Sequence, residues 1–99
     1  MIHHLIADMK EGMEIQQYFM VREVEPGHTR NGEPYLTLVL GDRSGSLKSK
    51  LWSNVLKDFP GPFRVGDYVA VVGQLRPFRG ELQLTVQKIW TVQQIRQIK

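Results

Sequence analysis

The 99-residue sequence predicts an all-β domain: a five-stranded antiparallel Greek-key barrel with a short helix between strands 3 and 4. Three observations carry this. Apolar and polar residues alternate with period two over five separate stretches. The one interior helical stretch is short, near residues 54–58, and "PGP" at 60–62 ends it. A chain of this size holds a single core, and closing the sheet hides edges that five open strands would expose.

Residues 1–12 read as a lead-in with at most one helical turn. Asp8 and Glu11 are spaced as in a capping box, and Gly12 stops the turn. The first strand runs from Met13 to near Glu25, bent. It sets Ile15, Gln17, Phe19 and Val21 against Glu14, Gln16, Tyr18, Met20 and Arg22. A loop, "PGHTRNGE", follows at 26–33. The second strand places Leu36, Leu38 and Leu40 on one face and Tyr35, Thr37 and Val39 on the other. "GDRSG" at 41–45 is the hairpin turn, with Asp42 and the two glycines supplying backbone freedom. The third strand sets Leu47 and Leu51 against Lys48, Lys50 and Trp52.

Ser53 or Asn54 caps the short helix. The fourth strand starts after Gly66-Asp67, with Val69 and Val71 on one face, Ala70 and Val72 on the other, and reads as buried on both sides. "RPFRG" at 76–80 is a tight connection. The fifth strand sets Leu82, Leu84 and Val86 against Gln83, Thr85 and Gln87, and its parity breaks at Lys88-Ile89, the mark of a bulge. The barrel thus covers about residues 13–92 of one domain, and 93–99 read as a tail or the start of a linker. Leu36, Leu38, Leu40, Leu47, Leu51, Val69, Val71, Leu82, Leu84 and Val86 are the expected interior.

Cysteine is absent, which excludes disulfides and thiolate metal sites. Three histidines lack carboxylates at ligand spacing, and neither a phosphate-binding glycine loop nor a nucleophile elbow occurs. No apolar run approaches the ~20 residues of a membrane helix, and no secretory signal is present, so a cytoplasmic location is expected. Net charge is +3, split as −3 over residues 1–25 and +6 over 26–99. That bias permits a polyanionic partner.

"NGEPYLTLVLGDRSGSLKSKLW", "FRVGDYVAVVGQL" and "FRGELQLTVQKI" resemble the oligonucleotide-binding (OB) domain of the tRNA-anticodon type. "LxxGDRSGS" and "VGDxVxVxG" mark the OB fold but separate its subfamilies poorly. "FRGELQL" and the opening "IADMKEGMEIQQYFMVREVE" are similar to the N-terminal OB domain of bacterial YhaM-type 3′–5′ exoribonucleases, so the likeness covers nearly the whole chain. Members of that family join such a domain to a metal-dependent HD phosphohydrolase domain. No His-Asp pair occurs in these 99 residues. The resemblance therefore implies a non-catalytic chain without a cofactor. Either it is part of a longer enzyme with a C-terminal HD domain, or it is a stand-alone OB protein.

The OB resemblance places the binding face on the outer side of strands 2 and 3. Tyr35, Thr37, Lys48, Lys50 and Trp52 share that face, offering rings for bases and ammonium groups for phosphates. Trp52 reads equally well as a plug for the barrel end. Arg76, Phe78 and Arg79 form a second basic-aromatic cluster at the last hairpin, where Phe78 could also cover the barrel mouth. Arg30, with His28 and Asn31, offers polar contacts from the first long loop. Asp42 and Asp67 read as turn residues; Phe59, Phe63 and Trp90 read as core or as packing for the helix. The expected function is binding of single-stranded RNA or DNA, and the alternative is a protein-interaction or oligomerisation module.

Overall fold

The computed structural model describes residues 3–92. Five strands, β1 (Glu14–His28), β2 (Pro34–Asp42), β3 (Gly45–Leu51), β4 (Tyr68–Phe78) and β5 (Glu81–Thr91), form a closed barrel ordered β1-β2-β3-β5-β4. The helix α1 (Ser53–Asp58) lies between β3 and β4, as the sequence predicts. Contrary to the all-antiparallel expectation, one ladder is parallel. β3 and β5 run parallel through Lys48↔Gln83, Ser49↔Leu84 and Lys50↔Thr85. The reason is topological. Around a ring with an odd number of strands, direction cannot alternate at every step, so one parallel seam is the minimum.

β1 is longer than its sequence suggests. Fifteen residues would span ~50 Å if straight, more than the 40 Å long axis of the molecule, so the strand must coil. Its first half pairs with β4 and its second half with β2. Arg22 is the extra residue of a bulge between Val21↔Leu40 and Glu23↔Val39. The bulge inverts parity. Ile15, Gln17, Phe19 and Val21 face inward before it, whereas Val24 packs on the core after it and Glu23 and Glu25 face out. Pro26, Gly27 and His28, expected in the loop, pair with Leu36, Tyr35 and Pro34.

The fifth strand carries the predicted bulge, one residue earlier than expected. Val72↔Lys88 is followed by Gly73↔Val86, leaving Gln87 unpaired, and Ile89 and Thr91 then continue the inner face. Strand β4 extends through Phe78, so the last hairpin is a two-residue turn. Arg79 (φ 51°) and Gly80 (φ 80°) both adopt positive φ there, as a type I′ turn requires. On the outer side of β4, Ala70 and Val72 are only half-buried, so the strand is buried on one face rather than two. Residues 93–99, read as tail or linker, lie outside the described residues.

The core matches the expected interior except at its rim, where Leu36 and Leu82 are half-buried. Ile15, Phe19, Val21, Leu75 and Ile89 join it from the strands. Val55 of α1 and Phe63 seal the end where β3 finishes. Phe59 meets Trp90 edge-on at 5.4 Å, the packing role expected of both. Neither Ser53 nor Asn54 is the cap: Trp52 holds the N-cap position, and Ser53 Oγ donates to Glu33 Oε2.

The N-terminal segment closes the opposite end. A 3-10 turn, Ile6–Asp8, replaces the expected capping box, with Leu5 in the cap position. Gln17, 1% exposed inside the barrel, donates from Nε2 to the His4 carbonyl and accepts the His4 N–H. Ser49, also on the inner face, donates to the Leu38 carbonyl. Among the described residues no buried side-chain polar atom lacks a partner, as interior polar groups require.

Asp42 ties this segment to the β2–β3 turn. Its Oδ1 accepts from Ser44 N, Ser44 Oγ and Gly45 N, and its Oδ2 accepts from Ile6 N at 2.8 Å. Neither Gly41 nor Gly45 has positive φ, so the freedom expected of them is not what the turn uses. Desolvation pushes the Asp42 carboxyl upward in pKa, but the Ser44, Ile6 and Gly45 hydrogen bonds outweigh it and leave the group below its ordinary value of 3.8. A depressed folded-state pKa means the stabilisation is complete above the ordinary carboxylate range. It is then lost as pH falls through the lower folded value. Asp42→Asn should cost about 1–2 kcal/mol at neutral pH, because a charged acceptor is lost. Melting of the variant should converge on wild type in acid; a constant gap from neutral pH down to pH 2 would count against this account.

Candidate nucleic-acid interface

The β2–β3 register sets Thr37 opposite Lys50 and Val39 opposite Lys48, with Leu38 and Ser49 buried between them. Thr37, Val39, Lys48 and Lys50 therefore all point outward. Tyr35, at the head of β2, pairs with Gly27 of β1. A Cβ on Gly27 would stand 2.5 Å from Tyr35 Cζ, so the glycine is what lets the ring lie across β1. Trp52 follows β3 directly and is 40% exposed.

These side chains form one cluster. The Tyr35 and Trp52 rings stand 5.4 Å apart at 55°. Lys50 Nζ sits 4.3 Å from the Tyr35 centroid and 5.4 Å from that of Trp52, and donates to Thr37 Oγ1 at 3.2 Å. The ammonium orders both rings while keeping a donor to spare. Trp52 does not plug the barrel; Val55 and Phe63 fill that end.

The β4–β5 hairpin supplies the facing wall. Phe78, 47% exposed, carries the Arg79 guanidinium 5.2 Å from its ring centroid. Between the hairpin and the β1–β2–β3 face lies a groove of about 570 Å³, whose lining includes Tyr35, Thr37, Lys48, Lys50, Phe78 and Arg79. Six of the expected site residues thus converge, and Trp52 adjoins them through Tyr35 and Lys50. Arg76 does not line the groove. It pairs across from Gln83 and donates to Gln74 Oε1. Arg30 and Asn31 sit on the exposed turn that Thr29 closes with Glu33, and His28 ends β1.

Sequence reasoning missed three carboxylates in the same groove. Glu23, Glu25 and Glu81 line it alongside Lys48, Lys50 and Arg79. The β1 bulge brings the first two there, and its signal in the sequence was Val24 breaking the parity of Val21. The site is thus a mixed one, with carboxylate acceptors beside ammonium and guanidinium donors. Asp67, as expected, serves its turn and accepts from Arg64 N at 3.0 Å. Among the described residues no three His, Asp or Glu side chains gather as they would around a metal ion. No helix there is long and apolar enough to cross a membrane.

Comparison with known proteins bears on the family and the fold. Several 3′–5′ exoribonucleases YhaM are similar to the chain. That of Oceanobacillus iheyensis is 36% identical over 84 residues, covering 85% of this chain and 26% of the relative. That of Halalkalibacterium halodurans is 33% identical over 88 residues, covering 89% and 27%. The chain thus spans about a quarter of the length of these curated relatives. Among solved structures, a domain of replication protein A from Methanococcus maripaludis superposes with a TM-score of 0.74 at 22% identity, covering 90% of this chain and 93% of that one. A mitochondrial single-stranded DNA-binding protein from S. cerevisiae gives 0.61 at 15% identity, covering 84% and 97%. Both likenesses are of fold. The family model for the OB-fold nucleic acid binding domain of tRNA-anticodon type matches residues 20–92, and the chain belongs to that family.

Proposed function

We propose that this chain is a binding module for single-stranded RNA or DNA, serving a nuclease whose HD-type catalytic domain lies elsewhere in a longer protein. The observation that carries the reading is the Tyr35–Lys50–Trp52 cluster opening into a groove faced by Phe78 and Arg79. Two ring faces accept bases in any sequence, and the cations neutralise the phosphates between them. A duplex hides base faces, so single strands are preferred. Holding a strand beside a tethered active site raises its local concentration there, which is a contribution this chain makes without catalysing anything itself. The YhaM relatives, four times as long, are named for the activity such a module would serve.

The test is fluorescence anisotropy with labelled oligo-RNA and oligo-DNA over a range of salt. If about three phosphates are neutralised, log K should fall against log salt with a slope of roughly −2, at about −0.7 per contact on single strands. Lys48→Ala with Lys50→Ala should flatten that slope by about one to one and a half. The absence of any salt-sensitive binding by the wild-type chain would overturn the proposal in favour of a protein-interaction or oligomerisation role.

A further inference from the structure

The outer face of β1 and β2 does not end at the groove. Beyond Lys48 the surface continues past Val39 and Ser46, with Glu23 and Glu81 at its side. There Arg22, the bulge residue, lies over Gly41, which has no side chain to block it. Arg22 Nη1 donates to Ser46 Oγ at 3.0 Å and Nη2 to the Asp42 carbonyl at 2.8 Å, leaving donors over. On its far side opens a second concavity of about 410 Å³, lined among others by His3, Tyr18, Arg22, Arg43 and Tyr68. Tyr18 is 47% and Tyr68 59% exposed. Met20 pairs with Tyr68 and Tyr18 with Ala70, so the two rings are diagonal neighbours across the β1–β4 ladder. The one carboxylate there, Asp42, is occupied by Ser44, Gly45 and Ile6.

From these features we infer a second base-stacking site, formed by Tyr18 and Tyr68 with Arg22 and Arg43, that extends the groove into one continuous track for a longer single strand. The inference rests on the nucleic-acid reading above. Two exposed rings flanked by guanidinium groups repeat the chemistry of the first site, and Arg22 bridges the two surfaces. The first groove and the surface just beyond it set Glu23 and Glu81 beside their cations, whereas the lining of the far concavity has two arginines and one spent carboxylate. It therefore grips phosphate more and reads bases less. From Tyr35 to Gly41 alone, β2 covers about 20 Å at strand rise. Such a track suits the upper part of the roughly 4–16 nucleotides that one OB fold holds.

Strand length separates the two sites. A 4-mer fits the first groove alone, and a 12-mer reaches the second. The chain carrying Tyr18→Ala and Tyr68→Ala should bind the 4-mer as wild type does and lose at least about tenfold on the 12-mer. Tyr18→Phe with Tyr68→Phe keeps the rings and should restore 12-mer affinity, while a loss caused by weakened folding of the alanine variant would show as a lowered Tm and weaker 4-mer binding. Arg43→Ala should reduce the salt slope by about 0.7 for the 12-mer only. Wild-type 12-mer affinity in the alanine variant overturns the inference while leaving the first site standing. Sedimentation showing a wild-type dimer that the alanine variant dissolves also overturns it, since the tyrosines then form a contact between copies. If the wild-type chain binds neither length, both readings fall together.

Discussion

Gly73→Ala is expected to destabilise the barrel by about 3 kcal/mol, lowering Tm by roughly 12–24 °C in a domain of this size. A Cβ at this position would stand 2.5 Å from the Thr85 carbonyl oxygen and 3.1 Å from Leu84 Cδ1. The oxygen belongs to the backbone of β5, which the β4 ladder and the parallel β3 seam hold from both sides. No flexible side chain can swing away to relieve the clash. Gly73 sits where the register shifts at the Gln87 bulge, so two backbones must approach closely for the ring of strands to close. The last glycine of "VGDxVxVxG" thus has a steric reason that its own φ does not supply. Gly45→Ala is the matched control. Its Cβ would meet only Ile6 Cγ2 at 3.8 Å, and its φ is not positive, so melting should hardly move. Equal melting temperatures for the two variants would sink the argument.

Removing both rings of the first site should have the largest effect on binding. Stacking contributes about 1–3 kcal/mol per base, so Tyr35→Ala with Trp52→Ala should weaken affinity by about 2–6 kcal/mol, or roughly 30- to 20,000-fold. The salt slope should stay near its wild-type value, since Lys48, Lys50 and Arg79 remain to neutralise phosphate. Gly27→Ala tests the same ring from the neighbouring strand. The new Cβ would lie within 3 Å of three Tyr35 ring and hydroxyl atoms, so the ring must leave its place beneath Lys50. Its loss of affinity should approach that of Tyr35→Ala, with both phenol and fold intact. A double-ring variant that melts normally and binds within threefold of wild type would show that the rings do not stack on bases.

Local alternation determines which way a side chain points, and that much the sequence carried by itself. Period-two patterns placed eight of ten expected residues deep in the core and put Tyr35, Thr37, Lys48 and Lys50 together on the opposite face. The β5 bulge was legible because Val86 and Ile89 are both apolar and of opposite parity. Turn chemistry marked Asp42, Asp67 and the last hairpin for the same reason: their partners lie a few residues away. What meets what across the barrel is another matter, because it depends on register and closure, which five strands settle jointly. The bulge at Arg22 turned Glu23 and Glu25 outward, and closure brought Glu81 and Arg79 against strands far off in the chain. Gly27, Gly41 and Gly73 follow the same logic. None has positive φ, and each is small because a residue on the neighbouring strand needs its space: Tyr35, Arg22 and Thr85. No local pattern announces such a requirement, since the constraint belongs to the strand next door. Only the folded ring of strands decides it.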